Sequence, residues 1–454
     1  MNDFRRDLAP PKTGNFVTKD AYVSSEFAQR EKDKLWPRVW LLACREEEIE
    51  KPGKFVTFEI GDESIIIARD DDNRIAAFFN VCPHRGRRLL QGCGRTARFF
   101  CRYHGWQWKL SGQNTVMIDS DDWTEISQDD VGLRRVRAES WGGFVFVNVD
   151  GKAEPLLDFL GPWPDMWESY RLEDLRYRWF KTVKLDCNWK VAIEAFIEGY
   201  HAQTTHRQIN PFNGGNLYSC RVFGRHSLFY DRVTKKIGTP NPNMALIPES
   251  ESGQAAPDDL REALKIYFET LSQDLDCQVT DHIVEAARRL PDRVSRDAPY
   301  AEVMTALRGL HVEVAASQGV TWDHLPMSDY AALGAGWHMF PNVAVLPTLD
   351  GLVMYRARAD GDDPGKCEFD VFPLERCAPG HQATVRREFH ERWQDANFPR
   401  IFQQDFENLE LVQAGMKSAG FRGALPNPIA EQTVLNLHHE LHRMVDQQEP
   451  VDGI

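Results

Sequence analysis

Long apolar runs are missing from this chain of 454 residues. Runs such as Ile65 to Ala68 fall far short of the roughly 20 residues that span a bilayer, so no membrane partner is expected. The charged residues from Met1 to Pro11 contain no apolar stretch of the secretory kind, and a cytoplasmic protein is expected. Basic excess is missing too: 54 Lys and Arg stand against 68 Asp and Glu, a formal net charge of -14. That is the wrong sign for general nucleic-acid binding. Cysteine is sparse, at nine residues. Cys44, Cys93, Cys187, Cys220, Cys277, Cys367 and Cys377 form no C-x-x-C pair and read as free thiols rather than a disulfide scaffold. There is no repeat, no low-complexity tract and no plant-type C-x4-C-x2-C run. Gly92 to Ala97 matches a dinucleotide fingerprint in form only, because no strand and helix flank it to hold a pyrophosphate.

What is present is concentrated between Cys82 and His104. Cys82-Pro83-His84 and Cys101-Arg102-Tyr103-His104 each offer one thiolate and one imidazole, sixteen residues apart. Two thiolates suit one iron of a two-iron, two-sulfide cluster and two neutral imidazoles suit the other, the Rieske ligand set. A structural zinc site uses the same four residue types, but usually pairs Cys with Cys and His with His at short spacing. Gly86 and Gly105 follow the two half-sites, where backbone amides can approach the sulfides.

A second stretch runs from Asn188 to His206. His201 and His206 lie five apart near the end of an expected helix, with Glu198 one turn before His201 on the same face. Farther on, Phe402, Asp405, Leu409 and Val412 follow helical spacing and define one apolar stripe. A carboxylate on such a stripe is costly unless it is paired or metal-bound. Two histidines and a carboxylate form the facial triad of non-haem iron(II) oxygenases. Singly, the histidines also read as ordinary residues and Asp405 as half of a buried ion pair.

Together the motifs resemble one family. C-P-H-R-G and C-R-Y-H-G-W are similar to the two cluster loops of Rieske-type non-haem iron aromatic ring-hydroxylating oxygenases, large (alpha) subunit. E-x-x-x-E-G-Y-H-x-x-x-x-H and the later Q-D-x-E-N-x-E resemble that family's catalytic motifs in the same order, and Phe340 to Asn342 (F-P-N) resembles a strand between them. The resemblance covers about residues 20 to 420. It implies a [2Fe-2S] cluster on Cys82, His84, Cys101 and His104, and a mononuclear Fe(II) on His201, His206 and Asp405. Glu198 would be the bridge from that iron to a cluster histidine, here His104, of a neighbouring subunit. Many members carry aspartate in place of Glu198 and asparagine in place of Ala195. Glutamate occurs in a minority that includes oxygenases of quaternary ammonium substrates.

The implied activity is that of a terminal oxygenase with O2 as cosubstrate. Electrons would come from NAD(P)H through a separate reductase, with or without a ferredoxin. A homotrimer is implied, with or without a small subunit. Phe196, Phe398 and Phe402 suggest a pocket for a hydrophobic aromatic or cyclic compound, to be cis-dihydroxylated or monohydroxylated. The alternatives are a monooxygenase or demethylase of a quaternary ammonium or methoxy compound, and a plain Rieske electron carrier, which would need only residues up to about 150.

The expected fold class is α+β. Residues 1–44 read as an N-terminal helical segment packing on the catalytic domain, with a helix over 20–36. Residues 45–160 read as an all-β Rieske domain, and 161–454 as a catalytic domain with an antiparallel sheet flanked by helices. Inside the last, about 250–330 reads as a helical insertion. Prolines at 155, 162 and 164 mark the change of domain.

Overall fold

The computed structural model describes residues 15–215, 217–232, 236–246, 255–381 and 386–446. The chain divides into two compact units: 29–174 with the C-terminal tail, and 1–28 with 175–442. The boundaries therefore lie inside the expected N-terminal segment and after the expected division at residue 160. The reason is pairing: Leu41–Arg45, within the sequence-assigned helical segment, joins the sheet of the first unit through Phe144–Asn148.

That first unit is all-β apart from short helical turns. Its main sheet has seven strands, in the order Leu41–Arg45, Phe144–Asn148, Arg135–Trp141, Ile75–Phe79, Glu63–Arg69, Lys54–Ile60 and Cys93–Arg95. Asp70 to Asn73 form a hairpin turn: Asn73 takes φ 62°, which Asn tolerates, and Asp70 N–H donates to the Arg74 carbonyl at 2.9 Å. A small three-stranded sheet carries Phe99–Phe100, Gln107–Trp108 and Asn114–Val116. The two cluster loops hang between these sheets over a core of Phe78, Phe99, Trp106, Trp108 and Leu110.

The second unit is built on a nine-stranded sheet. Its pairs are antiparallel except Phe180–Leu185 with Arg387–His390, which run parallel. Two strands, Gly336–Met339 and Val343–Pro347, flank Phe340 to Asn342, which is the turn between them rather than a strand. Proline in that turn has no N–H to give to a ladder. Three helices fill the insertion, Leu260–Asp274, Asp281–Arg293 and Tyr300–Ser317. Asp259 caps the first, its side chain accepting from Arg261 N–H at 3.0 Å. The helix expected over 20–36 is broken into Asp20–Val23 and Ser25–Lys34. Ser24, extended at ψ 123°, accepts from Phe27 N–H at 3.2 Å and so starts the second piece.

One face of the large sheet carries the catalytic helices. Cross-strand partners share a face, so the ladder Ala344, Tyr355 and Val371 lies on the side where Tyr355 stacks on Phe196 at 4.1 Å. Farther along, Gly199 packs against Tyr218 of the sheet. A Cβ there would lie 2.2 Å from the Tyr218 ring, so only glycine fits. The Thr433 hydroxyl donates to the Ile197 carbonyl at 2.6 Å.

Candidate metal centres

The two cluster loops close in the same way. Cys82 N–H donates to the Arg87 carbonyl at 2.9 Å and Gly86 N–H to the Cys82 carbonyl at 2.9 Å. Cys101 N–H donates to the Trp106 carbonyl at 2.9 Å and Gly105 N–H to the Cys101 carbonyl at 3.0 Å. Both glycines sit in the left-handed region, at φ 75° and 77°, which glycine enters without steric cost. The histidine is the third residue of one loop and the fourth of the other, yet the shared turn brings the rings together, with centroids 4.5 Å apart. Asn80 anchors the first loop, taking Leu89 and Leu90 N–H at 2.9 and 3.0 Å and donating to the Leu90 carbonyl at 2.7 Å.

The chemistry of this pocket suits a cluster. Burial pushes the Cys82 thiol up and the neighbouring Cys101 thiol adds to the rise, while the backbone amides of His84 and Arg85 pull it back. Nδ1 of His84 and Nδ1 of His104 are both buried and have no hydrogen-bond partner among the described residues. Buried polar atoms are normally satisfied, and two orphan imidazole nitrogens beside two thiols are what metal ligands look like without their metal. Burial, then His104 and Arg85, lower the His84 pKa and favour the neutral ring. Trp106 stacks on His84 at 5.0 Å and Trp123 meets it edge-on at 5.6 Å.

The second centre is assembled from two separate stretches. The helix holding the motif stops early, at Trp189–Glu194. Glu198 is therefore in a loop and not one helical turn before His201. His201 instead begins a short helix, Ala202–Thr205, and His206 ends it. Asp405 comes from the helix Arg400–Met416. The buried side of that helix carries Phe402, Asp405, Phe406, Leu409 and Gln413. Val412, expected on the stripe, is 45% exposed, because the stripe drifts around a 3.6-residue helix. Asn188 N–H donates to Gln413 Oε1 at 2.8 Å and Asn408 Nδ2 to Thr205 Oγ1 at 3.3 Å. Those ties set Asp405 against the histidines.

His201 Nε2 lies 3.6 Å and His206 Nε2 3.2 Å from Asp405 Oδ1, and the three groups' ligand atoms all fall within 4.8 Å of one another. The outer nitrogens are held. Glu198 Oε1 pairs with His201 Nδ1, while Gln404 Oε1 is 3.1 Å from His206 Nδ1. Glu198 Oε2 also accepts Tyr200 N–H and, at 3.3 Å, His201 N–H. Gln404 and Gln208 exchange two amide bonds, at 3.0 and 3.3 Å. With each Nδ1–H donated outward, each Nε2 turns a lone pair toward a carboxylate oxygen. That contact is favourable only with a proton or a metal ion on the Nε2 side. Burial opposes charge on His201, but Glu198 and then Asp405 outweigh it and raise its pKa to about 9. Composition and spacing did not point to Gln404, Gln208 or Asn80. Only Gln404 left a trace, as the residue before Asp405.

Phe196, Phe398 and Phe402 are all buried. Phe196 stacks on Tyr355 and lies 5.1 Å from Phe369. Phe398 and Phe402 are 5.0 Å apart, and Tyr355 to Phe402 is 6.2 Å. The three thus join one aromatic cluster, one helical turn from Asp405.

Family models match at both centres. Residues 172–447 match the ring hydroxylating alpha subunit catalytic domain. The chain belongs to that family. Residues 39–120 match the Rieske [2Fe-2S] domain, so the family's two cofactors, a [2Fe-2S] cluster and a non-haem iron, each have a matching domain here. The carnitine monooxygenase oxygenase subunit of Acinetobacter pittii (strain PHEA-2) is 30% identical over 204 residues, 44% of this chain and 54% of that protein. The anthranilate 1,2-dioxygenase large subunit of Acinetobacter baylyi (strain ATCC 33305 / BD413 / ADP1) is 32% identical over 236 residues, 47% and 49%. The chain thus spans about half the length of the curated relatives it matches. Solved structures share the fold over nearly the whole chain. A quaternary ammonium Rieske monooxygenase in complex with L-carnitine gives a TM-score of 0.63 at 17% identity, covering 94% of this chain and 95% of that one. Naphthalene 1,2-dioxygenase with indole bound gives 0.65 at 19%, covering 96% and 93%. Among the described residues, no helix is long and apolar enough to cross a membrane.

Proposed function

We propose that this chain is the terminal oxygenase component of a multi-component system, taking electrons at the [2Fe-2S] domain and using them with O2 at a mononuclear iron to hydroxylate a hydrophobic aromatic or cyclic compound. One observation carries the reading: two imidazoles, each with its outer nitrogen held, turn their inner nitrogens to the Asp405 carboxylate, with all three ligand atoms within 4.8 Å of one another. Iron bound by His201, His206 and Asp405 would supply open positions where O2 is reduced. The residues around it orient and exclude. Glu198 and Gln404 fix the ring orientations, and the cluster of Phe196, Tyr355, Phe369 and Phe402 keeps water from one side.

Cys82 and Cys101 would hold one iron of the cluster, His84 and His104 the other. His104 of one copy and Glu198 of the next would connect the centres in a homotrimer, with or without a small subunit. A separate reductase, with or without a ferredoxin, would bring electrons from NAD(P)H.

Iron and acid-labile sulfide measured per chain on anaerobically purified protein test this. About three irons with two sulfides are expected. About two irons with two sulfides leave an electron carrier, and zinc without sulfide removes the cluster altogether.

A second reading concerns the substrate alone. Buried aromatic faces beside the triad also suit a quaternary ammonium head, drawn to them by cation–π attraction, and the carnitine and glycine betaine oxygenase subunits are among the similar proteins. Substrate-dependent oxygen uptake with aromatic acids, neutral polycyclics and trimethylammonium compounds separates the two. A response to the ammonium compounds only establishes the second reading.

A further inference from the structure

In a chain of net charge -14, the stretch from Cys82 to His104 has six arginines, no lysine and no carboxylate. Four of the six line a groove of about 610 Å3 together with Phe55 and Phe100: Arg87, Arg88, Arg98 and Arg102. One carboxylate, Glu59, also reaches the groove, and it is taken up by Arg88 at 3.0 Å. Arg87, Arg98 and Arg102 have no carboxylate partner among the described residues. Arg87 donates to the Arg88 carbonyl at 2.8 Å and Arg98 to Gln107 Oε1 at 2.9 Å, both neutral acceptors. Arg102 has no hydrogen-bond or ion-pair partner among the described residues.

The groove also exposes an aromatic side chain. Phe100 is 42% exposed, and Tyr103 beyond it is 53% exposed, with the Arg85 guanidinium 5.2 Å over its ring. Arginine and aromatic residues without lysine are the composition of a protein interface core, whereas a merely solvated basic surface would be lysine-rich. Its place is equally specific. Arg102 directly follows Cys101, and the Arg87 carbonyl accepts the Cys82 N–H. The groove therefore borders both cluster loops.

We infer that this groove docks an acidic one-electron carrier protein, the donor that reduces the cluster. The inference rests on the terminal-oxygenase reading and names its electron-delivering partner by charge. In each encounter the donor loses one electron and the oxidised cluster gains it, with no bond made or broken. Carboxylates on the donor meet Arg87, Arg98 and Arg102, and Phe100 supplies the apolar contact at the centre. Arginine's fork geometry pairs with carboxylates in bidentate fashion, and opposite fields raise the encounter rate at low ionic strength.

The test is anaerobic stopped-flow reduction of the full chain by a photoreduced plant-type [2Fe-2S] ferredoxin as the acidic probe, at ionic strengths from about 0.02 to 0.5 M, a range over which screening shortens from tens of ångströms to a few. The second-order rate should fall at least tenfold across that range. Arg87→Glu combined with Arg98→Glu should lower it about tenfold at low salt, and Arg87→Lys with Arg98→Lys should restore most of it. Dithionite should bleach wild type and variants alike, since it needs no docking. A ferredoxin rate indifferent to charge reversal overturns the inference. So does a reversal that changes the molecular mass in solution and leaves the rate alone, because the groove is then a face between copies. A protein without a dithionite-bleachable cluster fails at the level of the proposed function.

Discussion

The Glu198 carboxylate grips His201 twice, through the ring Nδ1 and through the backbone N–H. In three residues of loop it fixes both the orientation of the ring and the path of the chain that carries it. A carboxylate on the outer nitrogen of a ligand histidine selects the tautomer and raises ligand basicity, typically worth 10–100-fold in metal affinity or activity. Glu198→Gln keeps an acceptor oxygen but loses the charge. It should cost about 10–100-fold in turnover or iron affinity, with the visible spectrum of the cluster unchanged. Metal analysis beside a turnover assay checks this, and full activity in the variant would remove Glu198 from the site.

Asp405→Ala should abolish turnover and leave about two irons and two sulfides per chain, because the cluster's ligands lie in the other unit. Gln404→Leu should be milder. It frees His206 Nδ1 without touching a ligand atom, so about a tenfold weaker hold on iron is expected. Iron titration of the metal-depleted variants distinguishes the two.

Gly199→Ala should destabilise the second unit by about 1–3 kcal/mol, the usual cost of overpacking, since the new methyl group meets the Tyr218 ring. Combining it with Tyr218→Leu should recover part of the loss. Thermal unfolding of the single and double variants measures the coupling, and a plain sum of the two losses would contradict the close approach.

Asp350 joins the helical insertion to the sheet. Its Oδ2 lies 3.1 Å from His282 Nδ1 and 2.9 Å from His311 Nε2, and it accepts the Thr280 hydroxyl. Burial alone would raise the Asp350 carboxyl, but these partners hold it well below the usual carboxylate range. The hydrogen bond to Asp350 raises His282 against the opposing effect of burial. A depressed carboxyl stabilises above its unfolded value of about 3.9, and that contribution is lost as pH falls toward its folded value. A raised histidine stabilises fully below about 6.5 and loses the contribution as pH rises through its folded value. The melting temperature should therefore be highest between about pH 4 and 6.5 as far as this cluster is concerned. Asp350→Asn should flatten that profile and cost about 3–5 kcal/mol, the effect of removing one partner of a buried charged group. An unaltered profile would show that the cluster does not couple to folding.

The sequence by itself offered the two candidate ligand sets, their order and the α+β class. These are legible because metal chemistry demands particular side chains: Cys and His repeat in two similar loops, and Asp405 stands out as a charge on an apolar helical stripe. It also carried the strands of the first unit, whose apolar residues and turn signals are local. Tertiary structure alone decided what depends on distant contacts. The helix ends at Glu194, and the loop that follows carries Glu198 and sets Gly199 against Tyr218. Alignment of Asp405 with the histidines depends on Asn188 reaching Gln413, 225 residues away. The tautomers of His201 and His206 depend on Glu198 and Gln404. The division of the chain near residues 28 and 174 follows from Leu41–Arg45 finding Phe144–Asn148. Local spacing records which groups a segment offers, and hydrogen bonds between segments decide which of them face one another.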